Sequence, residues 1–347
     1  MKKIGAIILG GSGYGVGELL RYLTFHPEVE VVSVTSASNI GEKIEELHPN
    51  LLGFYPDLVC EGSIEIGKLK KFEQGVVFSS LPHGTSSVEL SKLIVQGLPA
   101  NIHLIDLSGD LRLTDEKVHL KHYPDVEFNP TIREQFEYVV PELGLPKKFT
   151  HISNPGCLST AGALALAPLT KVKLTGAVYI DAKTGTSGAG RSPQASMHHP
   201  HRHGNFEAYK ILSHRHEPEI RQATSLKSEI ELAFVPHLLP VSRGILVTLF
   251  ATLEIPDLSQ AELEKHFKNF YSGKYFIRFR NQSPTLHDIV GTNFVDLSVN
   301  VRGSQVVIIA ALDNLGKGMA GQAIQNMNLV CRLDQLSGLK LPSLGVA

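Results

Sequence analysis

The chain is poor in the features that mark secreted, membrane-spanning and nucleic-acid-binding proteins. It has three cysteines in 347 residues, an odd number at wide spacing that argues against a disulfide framework and favours a reducing compartment. Its formal net charge of −1 provides neither a basic field for nucleic acid nor a polybasic membrane patch. It has no apolar run of membrane-spanning length and no recognisable signal peptide, so we expect a cytoplasmic protein that binds neither nucleic acid nor membrane.

The chain does have the composition of an ordinary globular protein, with 42% hydrophobic and 19% charged residues, and its length predicts two domains. Strands alternate with helices in the first part, which predicts an α/β fold with a doubly wound, Rossmann-type domain over residues 1–153. Longer strands with few helices predict an α+β catalytic domain with a mixed or antiparallel sheet over residues 154–312. The remaining residues, 313–347, contain a helix that we expect to return to the first domain.

The N-terminus has the pattern of a dinucleotide-binding site. A buried strand at 4–9 runs into Gly-Gly-Ser-Gly-Tyr-Gly-Val-Gly at 10–17, helical spacing follows over 18–25, and a second strand follows at 29–34. Glycines let a pyrophosphate approach the backbone closely, and the helix N-terminus attracts its charge. The predicted cofactor contacts in this turn are Gly10, Ser12, Gly13, Tyr14 and Gly15.

The end of the second strand indicates which nicotinamide cofactor is bound. An Asp or Glu there would bind the unphosphorylated ribose of NAD, whereas this chain has Thr-Ser-Ala-Ser at 35–38. Hydroxyls such as that of Ser36 suit a 2′-phosphate better, so we predict NADP(H). Glu42 is the nearby carboxylate that would favour the alternative if it folded back.

Cys157 follows Asn-Pro-Gly at 154–156 and precedes the apolar run 161–168, which places its thiol at a predicted helix start. The partial positive charge and unpaired N–H groups of a helix N-terminus favour a thiolate and can hold an oxyanion. The alternative is that Cys157 is a small buried hydrophobic residue. The tight turn ahead of it and the histidines downstream favour a nucleophile.

Six histidines fall within residues 198–216, but no partner stands at structural-zinc spacing, and we predict no metal site. His214 and His216 differ from the others because Pro218 suits the first position of a helix, which would put both at a helix start. A histidine there can act as general base or acid.

Two predicted strand-to-loop exits, at 80–84 and 106–113, are expected where doubly wound sheets bind ligands. Arg112 in the second loop could clamp a phosphate or carboxylate, and Arg191 with the 186–190 turn could supply a further anion site. A thiolate combined with a hydride carrier interconverts an aldehyde and an activated acid, such as an acyl phosphate.

Motifs along nearly the whole chain resemble the N-acetyl-gamma-glutamyl-phosphate reductase family. They lie at 10–14, 81–84, 106–113, 154–157, 187–191, 214–216, 236–246, 291–293 and 313–318. The resemblance implies NADPH-dependent reduction of N-acetylglutamyl 5-phosphate to the semialdehyde in arginine biosynthesis, with Cys157 as nucleophile and His214 or His216 as acid/base. On the cofactor side we expect Leu81, Pro82, His83, Ser187, Gly188, Asn314, Lys317 and Gly318. On the substrate side we expect Arg112, Asn154 and Arg191.

The chain departs from the family pattern at Val16, which replaces a glycine, and at 158–159, where Leu-Ser replaces Tyr-Pro. His-His-Pro at 198–200 and His-Pro-Asn-Leu at 48–51 also resemble the sister enzyme of lysine synthesis. That alternative implies a carrier-protein-linked aminoadipyl phosphate and a small acidic carrier protein as partner. A non-catalytic, NADP-sensing regulator is the alternative of another class. For the reductase we expect a homodimer or homotetramer acting on a small-molecule acyl phosphate.

Overall fold

The structure, a computed structural model, describes residues 2–147, 150–254 and 258–345 and divides into two compact units. The first contains the chain up to Pro141, Leu145–Pro155 and Met319–Lys340. The second contains Glu142–Gly144, Gly156–Gly318 and the chain from Leu341 onward. The divisions at 155/156 and 318/319 lie a few residues beyond the predicted boundaries at 153/154 and 312/313.

Within the described residues, the first unit is built on a parallel seven-stranded sheet of order β3-β2-β1-β4-β5-β7-β6. Its strands are β1 (Ile4–Leu9), β2 (Val29–Thr35), β3 (Cys60–Glu61), β4 (Gln74–Ser79), β5 (Ile102–Asp106), β6 (Phe136–Tyr138) and β7 (His151–Ser153). The strand order reverses beside β1, and ligands of such sheets bind at the carboxyl ends of the strands at this point. The glycine turn begins there, at Gly10.

Helices of the first unit connect these strands and cover the sheet. They are α1 (Tyr14–Thr24), α2 (Ile44–Leu47), α3 (Ser86–Val95), α4 (Glu116–His122) and α5 (Pro130–Arg133), with 3-10 turns at Pro49–Leu51 and Ile66–Lys71. Leu90 and Leu93 of α3 pack in one buried cluster with Ile7, Val77 and Leu104 of the sheet. This core holds the carboxyl ends of β1 and β4 in place.

The second unit contains a mixed seven-stranded sheet of order β12-β13-β14-β11-β8-β10-β9 among its described residues. Its strands are β8 (Leu174–Thr184), β9 (Glu207–Ala208), β10 (Leu232–Leu238), β11 (Ile245–Leu253), β12 (Ile277–Phe279), β13 (Val295–Arg302) and β14 (Gln305–Leu312). The β12–β13 and β8–β10 pairs are parallel and the other pairs antiparallel. The predicted α/β class with a doubly wound domain and a mixed second sheet is therefore confirmed. Ile255, the end of one predicted strand, lies outside the described residues.

The helices of the second unit are α6 (Cys157–Leu166), α7 (His199–Arg202), α8 (His216–Thr224) and α9 (Gln260–Phe270), with 3-10 turns at Ala167–Lys171, Thr186–Ala189 and Ala195–Met197. Every residue of α6 after Cys157 is buried, as its apolar sequence requires, and α6 lies against α8, β11 and β14. A π-helical turn at Gly316–Ala320 follows β14 and leads into α10 (Gly321–Val330), which packs in the first unit against α1 and β5.

The predicted start of α1 and the predicted position of Pro218 in α8 are wrong, although the histidines do lie at the start of α8. Helix α1 begins at Tyr14, not at residue 18, because the extended Gly13 caps it within the glycine turn. Helix α8 begins at His216, so Pro218 is its third residue and not its first. Proline is tolerated there because the N–H groups of a first helical turn have no acceptor within the helix. Within the part of the chain that the structure describes, no helix is long and apolar enough to cross a membrane.

Candidate functional site

The turn between β1 and α1 has the geometry that a dinucleotide pyrophosphate needs. Gly10 has a φ of 105°, and a Cβ there would lie 2.7 Å from the carbonyl oxygen of Ser80. The amides of Gly10 and Gly11 both donate to the carbonyl oxygen of Thr35 at 2.9 Å, which ties the turn to the end of β2. The nearest described atom to a Cβ at Gly13 would be 3.8 Å away, so the approach to the α1 N-terminus is open. These features fit a pyrophosphate group.

The glycines inside α1 serve packing. A Cβ at Gly15 would lie 2.2 Å from Cε of Met319, and one at Gly17 would lie 2.6 Å from Nδ1 of His48. The buried His48 donates from Nε2 to the carbonyl oxygen of Gly11 at 2.8 Å and so stabilises the glycine turn. Gly17, the residue after Val16, therefore leaves room for the His48 ring.

The predicted ribose site at the end of β2 contains both hydroxyls and a carboxylate. The hydroxyls of Ser36 and Ser38 donate to Oδ1 of Asn39 at 3.1 and 2.9 Å. Nδ2 of Asn39 donates in turn to Oε1 of Glu42 at 3.1 Å, so the Asn39 amide lies between the Glu42 carboxylate and the two serine hydroxyls. Ser36 and Leu81 line one cavity of about 430 Å³ beside it, which brings these two predicted residues together.

His83 joins the loops that follow β4 and β5. Its Nδ1 accepts a hydrogen bond from the amide of Gly109 at 2.9 Å and lies 3.4 Å from Oδ1 of the buried Asp110. Burial would raise the pKa of Asp110, but its contacts with His83 and with the amides of Ser87 and Gly84 lower that pKa below its usual value. The carbonyl of Pro82 accepts the amide of Ser86 at 3.2 Å, at the start of α3.

Arg112 and Asn154, both predicted to contact substrate, are buried, and their described hydrogen bonds are with groups of the protein. Nε of Arg112 donates to the carbonyl oxygen of Asn154, and Nη2 donates to that of Leu107, both at 2.8 Å. The Asn154 side chain donates to the carbonyl oxygen of Met319 at 3.3 Å and accepts from Asn326 at 3.0 Å. These two hydrogen bonds from Arg112 hold the backbone at Leu107 and Asn154, and its predicted contact with substrate stays a prediction. Arg191 is exposed beyond the Thr186–Ala189 turn, and its predicted role stays a prediction.

Cys157 is the first residue of α6, and Gly156 is the extended residue that caps the helix. Its side chain is partly accessible, whereas Cys60 and Cys331 are buried. Burial raises the pKa of the Cys60 thiol, and it raises the pKa of the Cys331 thiol to about 12, so neither suits a nucleophile. A Cβ at Gly318 would lie 2.7 Å from Cβ of Cys157, so the predicted Gly318 does pack beside the thiol residue.

A buried carboxylate on α8 contacts the turn that carries the thiol. Oε2 of Glu219 accepts the amide hydrogen of Gly156 at 2.9 Å, and Oε1 lies 3.9 Å from Nε2 of His216. Glu219 is fully buried. It therefore connects the start of the Cys157 helix to one of the two candidate histidines.

His214 and His216 lie together, with ring centroids 4.6 Å apart. Nδ1 of His214 accepts the amide hydrogen of His216 at 3.1 Å, so a neutral His214 carries its proton on Nε2. The ring of Tyr209 lies 5.6 Å from that of His214. Burial raises the pKa of Tyr209, and the charge of Cys157 raises it further. The second unit thus brings Cys157, His214 and His216 into one region.

Two other predicted residues, Ser187 and Asn314, meet directly. Nδ2 of Asn314 donates to Oγ of Ser187 at 2.8 Å, and its Oδ1 accepts the amide of Gly244 at 2.8 Å. A Cβ at Gly188 would lie 4.0 Å from the same Nδ2. Arg243 and Asp313 pair beside them at 2.7 Å, so the loop after β14 is fixed to the loops after β8 and β10.

Lys317, which we predicted on the cofactor side, forms a buried pair with Glu142. It is fully buried, and its Nζ lies 2.7 Å from both carboxylate oxygens of Glu142. Burial lowers the pKa of Lys317 and the Glu142 charge opposes that shift. An ammonium group held in this way acts as a structural ion pair. Among the described residues, no group of three or more His, Cys, Asp or Glu side chains could hold a metal ion.

Comparison with known proteins identifies the family. Residues 5–150 match the semialdehyde dehydrogenase NAD binding domain, and residues 157–314 match the semialdehyde dehydrogenase dimerisation domain. The chain is 38% identical to the N-acetyl-gamma-glutamyl-phosphate reductase of Clostridium novyi, with 99% of each chain covered. It is 40% identical to that of Methanoregula boonei, covering 97% of this chain and 98% of the relative. The chain belongs to the N-acetyl-gamma-glutamyl-phosphate reductase family.

Solved structures support the same fold. Aspartate semialdehyde dehydrogenase II from Vibrio cholerae, complexed with ASA, matches with a TM-score of 0.70 at 15% identity, over 96% of this chain and 99% of that one. The enzyme from Candida albicans with NADP matches with a TM-score of 0.67 at 14% identity, over 96% and 99% of the two chains.

Membership of the N-acetyl-gamma-glutamyl-phosphate reductase family confirms the predicted oxidoreductase class and the nicotinamide-dinucleotide-binding first domain. The relatives named above lend no support to a carrier-protein partner.

The sequence interpretation missed Glu219, Tyr209 and His48. His216 and Glu219 are three residues apart, which places them on one helix face, and this spacing could have revealed Glu219. His48 lies 37 residues from its partner Gly11, and local spacing gives no signal for that contact. The amide of Tyr209 donates to the carbonyl oxygen of Pro236, a pairing that local sequence does not indicate.

Proposed function

We propose that this chain reduces N-acetyl-L-glutamyl 5-phosphate to the 5-semialdehyde with NADPH, releasing phosphate, in arginine biosynthesis. The observation that carries the proposal is the position of Cys157, the first residue of a buried helix whose capping amide is held by the buried Glu219. A reaction through Cys157 requires a free thiol, so a reducing compartment such as the cytoplasm suits the enzyme.

In the first step, the thiolate of Cys157 attacks the acyl carbon and forms a C–S bond. The C–O bond to phosphate breaks, and phosphate leaves with the bonding electrons, which produces a thioester on the enzyme. The positive end of α6 favours the thiolate over the thiol. The N–H groups of its first turn are suited to hold the oxygen that becomes negatively charged during attack.

In the second step the thioester carbon is reduced. NADPH, held by the glycine turn after β1, supplies a hydride when bound. The resulting thiohemiacetal loses its hydroxyl proton and expels the Cys157 thiolate, which releases the aldehyde. His214 or His216 is the group we propose to accept and return this proton, since Glu219 links His216 to the turn before Cys157 and His214 lies beside His216.

The 2′-phosphate of NADPH is proposed to lie near Ser36, where the hydroxyls of Ser36 and Ser38 converge on Asn39. These groups donate hydrogen bonds that a phosphate can accept. The nearby carboxylate of Glu42 accepts a hydrogen bond from the side-chain amide of Asn39. We also propose that the second unit self-associates into a homodimer or homotetramer, since residues 157–314 match a dimerisation domain.

Glu219→Gln is expected to lower kcat by roughly ten- to a hundredfold. Oε2 of Glu219 accepts a hydrogen bond from the backbone amide of Gly156. A glutamine side chain keeps the shape of glutamate but replaces this charge-assisted hydrogen bond by a neutral one. Steady-state kinetics over pH would measure the change, because a positioning role of the carboxylate beside His216 should alter the pH profile. Glu217→Gln, on the neighbouring Arg221 pair, is the matched control. A Glu219→Gln enzyme with the parent kcat and profile would refute this role.

Substrate choice is tested in the reverse direction, by phosphate-dependent NADP⁺ reduction. N-acetylglutamate 5-semialdehyde should exceed carrier-linked aminoadipate semialdehyde by orders of magnitude in kcat/KM. The opposite ratio would assign the chain to the lysine-type reaction. NADPH binding without turnover of either aldehyde would favour a non-catalytic sensor and overturn the proposal.

A further inference from the structure

We propose that Lys92 on α3 binds the 2′-phosphate of the cofactor and, together with Glu89, sets the preference for NADPH over NADH. This inference rests on the proposed NADPH-dependent function and adds a residue outside the glycine turn and outside the loop after β2. Glu89 and Lys92, the two side chains that would set cofactor specificity, lie outside the motifs that the chain shares with its family.

The cavity beside the end of β2 has the position and size of an adenosine site. It measures about 430 Å³, and its walls include Leu9, directly before the glycine turn, and Ser36, directly after β2. A dinucleotide whose pyrophosphate lies on the turn at Gly10 places its adenosine at this side of the switch point. Its other lining residues include Glu89 and Lys92 of α3 and Gln96, the residue that follows this helix.

The charges of this cavity are few. Of the described residues that line it, Lys92 is the one lysine or arginine and Glu89 is the one aspartate or glutamate. A 2′-phosphate carries up to two negative charges and needs a cation that the serine hydroxyls at 36 and 38 cannot supply. Lys92 is therefore the charge that this cavity offers to NADPH.

Lys92 is presently paired with Glu89. Its Nζ lies 2.6 Å from Oε1 of Glu89, and the two side chains are 59% and 32% exposed. Lys92 also borders a second cavity. Glu89 lines the cavity beside the end of β2, so the bond with Glu89 directs the Lys92 ammonium group toward that cavity. An exposed pair one helical turn apart is weak, so a dianionic phosphate can draw Lys92 away from it. Glu89 would compete with the phosphate for the same ammonium and would repel the phosphate.

The test measures binding of two nucleotides by calorimetry, adenosine 2′,5′-bisphosphate and AMP, to the full chain and its variants. Lys92→Gln should weaken the bisphosphate about tenfold and leave AMP nearly unchanged, because one charge-assisted contact is lost at a partly exposed site. Glu89→Gln should tighten the bisphosphate. Lys121→Gln, a change of the same charge at an exposed position of α4, is the control and should alter neither.

The outcomes separate the two proposals. A parent chain that binds both nucleotides equally would refute NADPH preference itself. A parent chain that prefers the bisphosphate, with Lys92→Gln keeping the whole preference, would refute the role of Lys92 and leave the proposed function intact. Equal weakening of both nucleotides by Lys92→Gln would also overturn the inference, since it would report a change in the cavity and not in phosphate recognition.

Discussion

Cys157→Ser should lower kcat by about a thousandfold or more while NADPH binds as before. A serine hydroxyl stays protonated at neutral pH, and no further side chain at the start of α6 replaces the thiolate as nucleophile in our mechanism. Stopped-flow or steady-state assays of N-acetylglutamate semialdehyde oxidation would measure the loss. Fluorescence titration with NADPH would show that the first unit still binds cofactor.

Cys331→Ser is the matched control for this variant. Cys331 is buried, and its thiol pKa is raised by that burial, so the change is expected to cost stability but to leave kcat of the folded enzyme unchanged. Turnover near the parent level in Cys157→Ser would contradict the nucleophile assignment. A loss of equal size in Cys331→Ser would show that both effects arise from unfolding.

Lys317→Met should destabilise the protein by about 3–5 kcal/mol, the cost of leaving a buried carboxylate without its partner. Glu142 is buried, and both of its carboxylate oxygens lie 2.7 Å from Nζ of Lys317, so the substitution removes the cation that pairs with its charge. Urea unfolding monitored by circular dichroism would measure the free energy change. The double variant Lys317→Met with Glu142→Leu should recover most of that loss, because it leaves no unpaired charge behind.

The exposed Lys268–Glu264 pair on α9 provides the comparison within the same unit. Its atoms lie 3.3 Å apart with Lys268 52% exposed, so Lys268→Met should cost no more than about 1 kcal/mol. A Lys317→Met variant as stable as the parent, or a double variant less stable than Lys317→Met alone, would contradict the structural role of the buried pair.

The parts of the fold set by local sequence were predictable. Strand β1, the glycine turn and the start of α6 follow from apolar runs broken by glycine and proline, and the structure has each of them. Helix boundaries were less accurate, because α1 begins inside the glycine turn where Gly15 and Gly17 lower helix propensity. Tertiary packing against Met319 and His48 outweighs that local preference.

The candidate site could be predicted where both the residue type and its neighbours in the sequence indicate a role, as at Cys157 and the histidines of 214–216. It was not predictable for side chains whose partners are distant in sequence. Arg112, for example, donates to the carbonyl group of Asn154, which lies 42 residues away. Lys317 likewise pairs with Glu142, which lies 175 residues away.

The most direct test of the mechanism is the mass of the enzyme after rapid mixing with N-acetylglutamyl 5-phosphate in the absence of NADPH. We predict release of about one phosphate per active site and an N-acetylglutamyl adduct, sensitive to hydroxylamine, on the peptide that contains Cys157. NADPH added afterwards should remove the adduct and yield the semialdehyde. An unmodified Cys157 peptide, from an enzyme that turns over when NADPH is present throughout, would contradict the thioester mechanism.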